Sequence, residues 1–265
     1  MPSARPDLVP AAAPPLHWRA YGRAADLDLC LDADARTRNA AVSALLAALL
    51  DGAAADRLAI VSGLTLAGRI GALLAIVGRS EGCEQLTLAL RCRQAGCDTI
   101  FEVELALAAL LELAQAAESE PLLTIADVRL RRPTGDDQRR WQAAAPPPGQ
   151  AAAVLLGTLI VDPAQRDRAV DAHWRARAGE QLEVLDPLPC FTLSCRCPDC
   201  AGEADYPLDL EAQALARLGA LRRRLLREVH RLASRYGWDE ARILDLPPAR
   251  RCEYLALIDA EEPRP

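Results

Sequence analysis

The chain contains no lysine, so all 31 of its basic residues are arginine. We read this as coding bias towards GC-rich codons, not as a binding signal. Aromatic residues are also scarce, at 4% against 51% hydrophobic residues, so a core must be built mainly from Leu, Ala and Val. There are three histidines, His17, His173 and His230. None stands in a His-x-Glu or His-Glu-x-x-His context, which removes the usual zinc hydrolase and deaminase patterns. No glycine-rich phosphate loop or nucleophile elbow occurs. These absences lead us to expect no enzymatic activity. Positive charge is in deficit too. A net charge of −6 argues against a nucleic-acid backbone as the main partner, because such binding relies on counterion release by a positive surface. No apolar run approaches the roughly 18 residues that span a bilayer. The first residues carry no export signal, and a cytoplasmic location in the producing cell is expected.

What is present is a pattern of alternating periods. Residues 1–16 are rich in Pro and Ala and read as a disordered lead-in. Val42, Leu45, Leu46 and Leu49 follow helical spacing, as do Ile70, Leu73, Leu74 and Val77. Leu86, Leu88 and Leu90 then alternate with polar residues, Cys92 and Cys97 bracket Gly96, and Phe101, Val103 and Leu105 resume the alternation. This predicts a β-hairpin tipped by cysteines. Leu107, Leu110, Leu111 and Ala114 return to helical spacing. The same order recurs about a hundred residues later. Phe191 and Leu193 alternate towards Cys195, the turn Cys197-Pro-Asp-Cys200 follows, and Tyr206 and Leu208 continue. Leu86 aligns with Phe191, Leu88 with Leu193, Cys92 with Cys197, Cys97 with Cys200 and Phe101 with Ala204. Such a repeat predicts an α+β chain of tandem duplicated helix-plus-hairpin halves, zinc-ribbon-like in character. The halves would span 17–119 and 120–212, with a helical docking segment at 213–265. In that segment Leu218, Leu221, Leu225, Val229 and Leu232 form one stripe, Gly237 ends the helix, and two short helices follow. Arg222, Arg223 and Arg224 read as a solvated helix face. Thr134 and Asp137 mark a helix start, which explains Asp136 and Asp137 better than a catalytic carboxylate pair.

Nine cysteines in a chain without an export signal point to metal before disulfides. Structural zinc favours four thiolates presented as two close pairs by turns. Cys197-x2-Cys200 fits well and Cys92-x4-Cys97 is looser. Cys195 aligns with Leu90, an inward strand position, which leaves Cys92, Cys97, Cys197 and Cys200 as ligands of one structural zinc joining the halves. A site that has lost its metal is the main competitor. A thioredoxin-type redox pair is disfavoured because Cys197 lies at a hairpin tip, not at a helix N-terminus. Cys30, Cys83, Cys190 and Cys252 read as small buried apolar residues. Trp141, Trp174 and Trp238 read as core or interface anchors.

Three segments carry a resemblance: Leu130-Arg-Arg-Pro-Thr-Gly-Asp-Asp137, the Cys197–Cys200 hairpin with its acidic alternating strand, and the segment from Tyr236-Gly-Trp238 through Ile243-Leu-Asp-Leu-Pro247 and Arg250-Arg251 to Tyr254-Leu255. In this order they resemble the baseplate and baseplate hub assembly proteins of T-even-type contractile-tailed phages and phage-like contractile injection systems. The likeness covers roughly residues 126–258, with one departure, since the family pattern has a single cysteine hairpin. The resemblance implies a non-enzymatic hub component or assembly chaperone whose partners are other tail proteins, hub or spike. Trp238, Ile243, Leu246, Arg250, Arg251, Tyr254 and Leu255 would bind the partner, as a segment that can be removed while the core stays folded. A zinc-ribbon regulator binding nucleic acid or a polymerase is the alternative.

Overall fold

A computed structural model describes residues 16–52 and 55–261, so most of the expected lead-in, residues 1–15, lies outside the described residues. The architecture is α+β, with ten α-helices and three separate two-stranded antiparallel hairpins among the described residues. Helices α1 (Arg38–Leu49), α2 (Arg57–Gly63) and α3 (Leu66–Glu81) lead into strands β1 (Gln85–Arg91) and β2 (Ile100–Ala106). Helix α4 (Leu107–Ser119) follows, then the small hairpin β3 (Leu122–Ile125) and β4 (Val128–Arg131). Helices α5 (Gly135–Ala144), α6 (Pro148–Leu159) and α7 (Ala172–Leu185) precede the third hairpin, β5 (Thr192–Arg196) and β6 (Glu203–Pro207). The chain ends in α8 (Leu210–Tyr236), α9 (Glu240–Asp245) and α10 (Pro248–Glu261).

The apolar periods become the core directly. Val42, Leu45, Leu46 and Leu49 of α1, Leu73, Leu74 and Val77 of α3, Leu86 of β1 and Leu218 of α8 lie together and are almost wholly inaccessible to water. Each fully buried Leu contributes about 1.5–3 kcal/mol by leaving water. Local chemistry sets the ends of α3. The Thr65 hydroxyl accepts from the Gly68 amide at 2.9 Å, and Gly82 stops the helix with a left-handed φ of 66°. Helices α3 and α4 approach closely because a Cβ on Gly71 would stand 2.3 Å from the Ala114 methyl. Only glycine fits that crossing. Helix α8 starts where Asp209 accepts from the Ala212 amide at 2.9 Å and ends at Gly237, φ 67°. Over 27 residues it runs about 40 Å.

The cores are not divided as two sequence halves. The main core draws on residues 18–117 and again on 188–258, while Ile125, Val128, Leu130, Leu159, Ile160, Trp174 and Ala178 form a smaller core of their own between them. Helix α8 begins at Leu210, ahead of the expected start of the docking segment, and its Leu stripe is spent inside the main core. Helix α6 ends at Leu159 and a 3-10 turn, Pro163–Val170, leads to α7. The cysteine expectation needs correction. Cys30, Cys190 and Cys252 are exposed and Cys83 is only half-buried. Cys83 still packs against the main core, whereas the other three face solvent.

One segment carries more of the fold than its length suggests. In residues 130–137 the Thr134 hydroxyl accepts from the Asp137 amide while Asp137 accepts from the Thr134 amide at 3.0 Å, a reciprocal cap for α5. Arg131 grips the same carboxylate, with Nη2 to Oδ1 at 2.7 Å. Burial pushes the Asp137 acid up, but Arg131 and the Thr134 amide outweigh it and hold the carboxyl below its ordinary value. Arg132 pairs with Asp186 at 2.9 Å, both nearly inaccessible. The Pro133 carbonyl accepts from the Leu66 amide at 2.9 Å, and the Gly135 carbonyl accepts from Asn39 Nδ2 at 2.9 Å. These bonds tie β4 and α5 to α1 and α3. Beneath them lies Arg69, fully buried, donating to Val61 O, Asn39 Oδ1 and Ser43 Oγ at 2.9–3.0 Å. No sequence pattern announced this buried charge.

Candidate metal centre

The two long hairpins meet at their tips. Within each, pairing follows the alternation: Leu88 faces Val103 and Leu90 faces Phe101, as Leu193 faces Tyr206 and Cys195 faces Ala204. These inward positions build a third small core from Leu90, Phe101 and Tyr206, with Cys92 and Cys197 at its edge. Phe101 meets Tyr206 edge to face at 6.2 Å between ring centres. Cys195 packs half-buried against this cluster, in the position its alignment with Leu90 implies.

Tight turns deliver the sulfurs. The Cys92 amide donates to Thr99 O at 2.9 Å, and the Cys97 amide to Gln94 O at 3.1 Å, with Gly96 left-handed at φ 80°. Across the joint, the Cys197 amide donates to Gly202 O at 2.9 Å and the Ala201 amide to Cys197 O at 3.0 Å. Gly202 lies directly beneath Gln94, where a Cβ would stand 2.3 Å from Gln94 Cγ. The result is that Sγ of Cys92, Cys97, Cys197 and Cys200 lie within 4.8 Å of one another. Cys92 and Cys200 are 3.7 Å apart, and Cys97 and Cys197 3.9 Å. A tetrahedral ion at a zinc–sulfur distance of about 2.3 Å sets neighbouring sulfurs about 3.8 Å apart, so four thiolates here fit a metal such as zinc.

The surroundings suit anionic sulfur. The Gln94 amide donates to Cys92 Sγ at 3.4 Å. The Cys97 thiol donates to Thr99 Oγ1 at 3.5 Å, and the Thr99 hydroxyl donates in turn to Asp199 Oδ2 of the other hairpin at 2.9 Å. Without a cation four thiols so close divide in acidity. The Gln94 amide draws Cys92 down, but burial and its three thiol neighbours outweigh it and push it up to about 12. The Thr99 hydroxyl and amide draw Cys97 down to about 7. A divalent cation removes that conflict by stabilising all four as thiolates. Side chains add further bonds across the joint that no spacing rule signals. Arg93 donates to Asp205 O and Gln94 to Glu203 O, each at 2.9 Å, and Arg93 also lies 5.1 Å over the Tyr206 ring.

The residues expected to bind a partner are placed unevenly. Ile243 and Arg251 are buried, Trp238, Leu246, Tyr254 and Leu255 half-buried, and Arg250 exposed. Ile243 therefore serves the core. Arg251 donates to Glu228 Oε2 at 3.0 Å and to the carbonyls of Leu244 and Leu246 at 3.3 and 2.7 Å, closing the end of α9. Trp238 stacks on Tyr236 at 4.8 Å, and Tyr254 meets both edge on at 5.6 and 5.0 Å. Because Ile243, Leu244 and Ile258 belong to the main core, the segment is not an appendage that can be cut away from a folded body. No helix among the described residues is long and apolar enough to cross a membrane. No family model, no curated protein and no solved structure matches the chain.

Proposed function

We propose that the chain is a non-enzymatic hub component or assembly chaperone of a contractile tail or injection system, its two hairpins a degenerate duplication stapled by one structural zinc. The observation that carries this reading is that the three family-like motifs make three rigid joints in one body: the 130–137 segment, the cysteine tips and the aromatic C-terminal end. A protein built to hold partners in register needs such joints, since bound surfaces that stay fixed lose less ordering entropy on association. The duplication rests on the matching of strand pairs about the two tips. Zinc is favoured because a closed set of four thiolates suits a soft-accepting, redox-inert ion and leaves no position for a catalytic water. The tips carry exposed Asp98, Asp199, Glu203 and Asp205 beside exposed Arg91, Arg93 and Arg196. Arg91 pairs with Asp98 and Arg196 with Glu203, so the site offers phosphate no net positive patch and the regulator reading gains nothing from it.

The partner surface is the outer side of α10, where Arg250 and Leu257 are seven residues apart on one face and exposed. The test is recovery of partners from the native host with the tagged full chain, compared with the double variant Arg250→Glu, Leu257→Asp. Hub, spike or sheath subunits should accompany the wild type and be lost from the variant while its melting temperature holds. Recovery of RNA polymerase or nucleic acid instead would overturn the assignment.

A further inference from the structure

The four sulfurs are not equivalent. Cys92 and Cys197 are buried, Cys97 is half-buried and Cys200 exposed. Two sulfur contacts, at 3.7 and 3.9 Å, each join one buried to one more accessible thiol, Cys92 to Cys200 and Cys97 to Cys197. Each also joins one hairpin to the other. We propose that the centre is an oxidation site at which a two-electron oxidant such as a peroxide replaces the metal by two cross-hairpin disulfides, Cys92–Cys200 and Cys97–Cys197. This rests on the reading of the cluster as a zinc site.

The exposed Cys200 sulfur meets the oxidant first. It attacks the peroxide, the O–O bond breaks, sulfur keeps one oxygen as sulfenic acid, and the other oxygen leaves as water after protonation. The Cys92 sulfur, 3.7 Å away, then displaces that oxygen as a second water and forms the S–S bond. Cys97 and Cys197 consume a second peroxide in the same way. Each disulfide, with a bond near 2.05 Å, requires its sulfurs to close by just under 2 Å. The metal-independent bonds from Arg93, Gln94 and Thr99 to the second hairpin hold the tips in register meanwhile. Zinc, stripped of thiolates, departs, yet the hairpins stay joined. A joint of this kind persists in a reducing cell interior and outside it.

The experiment treats the full-length zinc-loaded protein with hydrogen peroxide. Zinc release is followed with a chromophoric chelator, free thiols are blocked, and the protein is digested with trypsin without reduction. Cleavage after Arg91, Arg93, Arg129, Arg196 and Arg217 puts Cys92, Cys97 and the Cys197/Cys200 pair in three separate peptides. The expected product is one species holding all three, with two peroxides consumed per zinc released. In Cys92→Ser, Cys97 should link to Cys197 and leave Cys200 free to be alkylated. Recovery of the 197–217 peptide alone with an internal disulfide, a link to Cys195, or a Cys97–Cys200 link with Cys197 alkylated in Cys92→Ser, would overturn the proposal. Absence of zinc from the starting protein would instead refute the metal reading, and the peptide map then decides the pairing on the metal-free thiols.

Discussion

Arg250 and Arg251 are adjacent, and the structure assigns them opposite roles, which makes them a sharp test of the packing argument. The Arg251 side chain is 8% exposed, and the Glu228 carboxylate it holds is 14% exposed. Replacing Arg251 by Ala removes its bonds to Glu228 and to two carbonyls at the end of α9. Taking one partner from a buried pair costs about 3–5 kcal/mol, chiefly because the other charge is stranded. Here Arg224 remains 3.6 Å from Glu228 and offsets part of that, so we expect about 3 kcal/mol. For a chain of this size the loss lowers the melting temperature by roughly 6–12 °C. Arg250→Ala should stay within about 0.5 kcal/mol, as exposed substitutions do. Urea unfolding of both variants gives the difference, and amide exchange should show α9 and α10 opening first in Arg251→Ala. A loss below about 1 kcal/mol at Arg251, or equal losses at the two positions, would refute the assignment of Arg251 to the fold.

Gly135→Ala should destabilise by about 1–3 kcal/mol, because its Cβ would stand 2.5 Å from Nη1 of a pinned Arg69; thermal unfolding reads this out. The Asp137 carboxyl titrates below its ordinary range, so its contribution is complete above about pH 4 and is lost as pH falls through the lowered folded value. Asp137→Asn should therefore be less stable at neutral pH and show a shallower loss in acid; parallel pH–stability curves for the two proteins would contradict this. Trp238→Ala removes the plane on which Tyr236 stacks and the ring that Tyr254 meets edge on, and should cost about 3 kcal/mol, read by thermal unfolding, with loss of near-ultraviolet circular dichroism from the cluster.

Much of the site was legible because its signals are local. Period-two alternation fixed which hairpin positions face inward, and aligning the two tips separated Cys195 from the four sulfurs that meet. The Thr134/Asp137 cap and the Gly237 stop are likewise local chemistry. The β3–β4 hairpin was missed as a pair because its turn, Ala126-Asp127, has positive φ at both residues, 44° and 65°, without the glycine or asparagine that normally marks such a turn. The C-terminal stripe was read as a docking face because amphipathicity reports that a face is buried, not what buries it. Leu218, Leu225 and Leu232 found their partners in α3 and elsewhere in the same chain. Arg69 and Arg251 lie beyond any period, since their partners are backbone carbonyls and residues distant in sequence.

The central claim is that the two hairpins are held by one zinc on Cys92, Cys97, Cys197 and Cys200. Metal analysis of the protein purified under reducing conditions tests it most directly, alongside the Cys197→Ser, Cys200→Ser double variant. The account predicts about one zinc per chain in the wild type and none in the variant, with looser packing between the tips. A wild-type protein that takes up no zinc, or a variant that keeps it, would contradict the account.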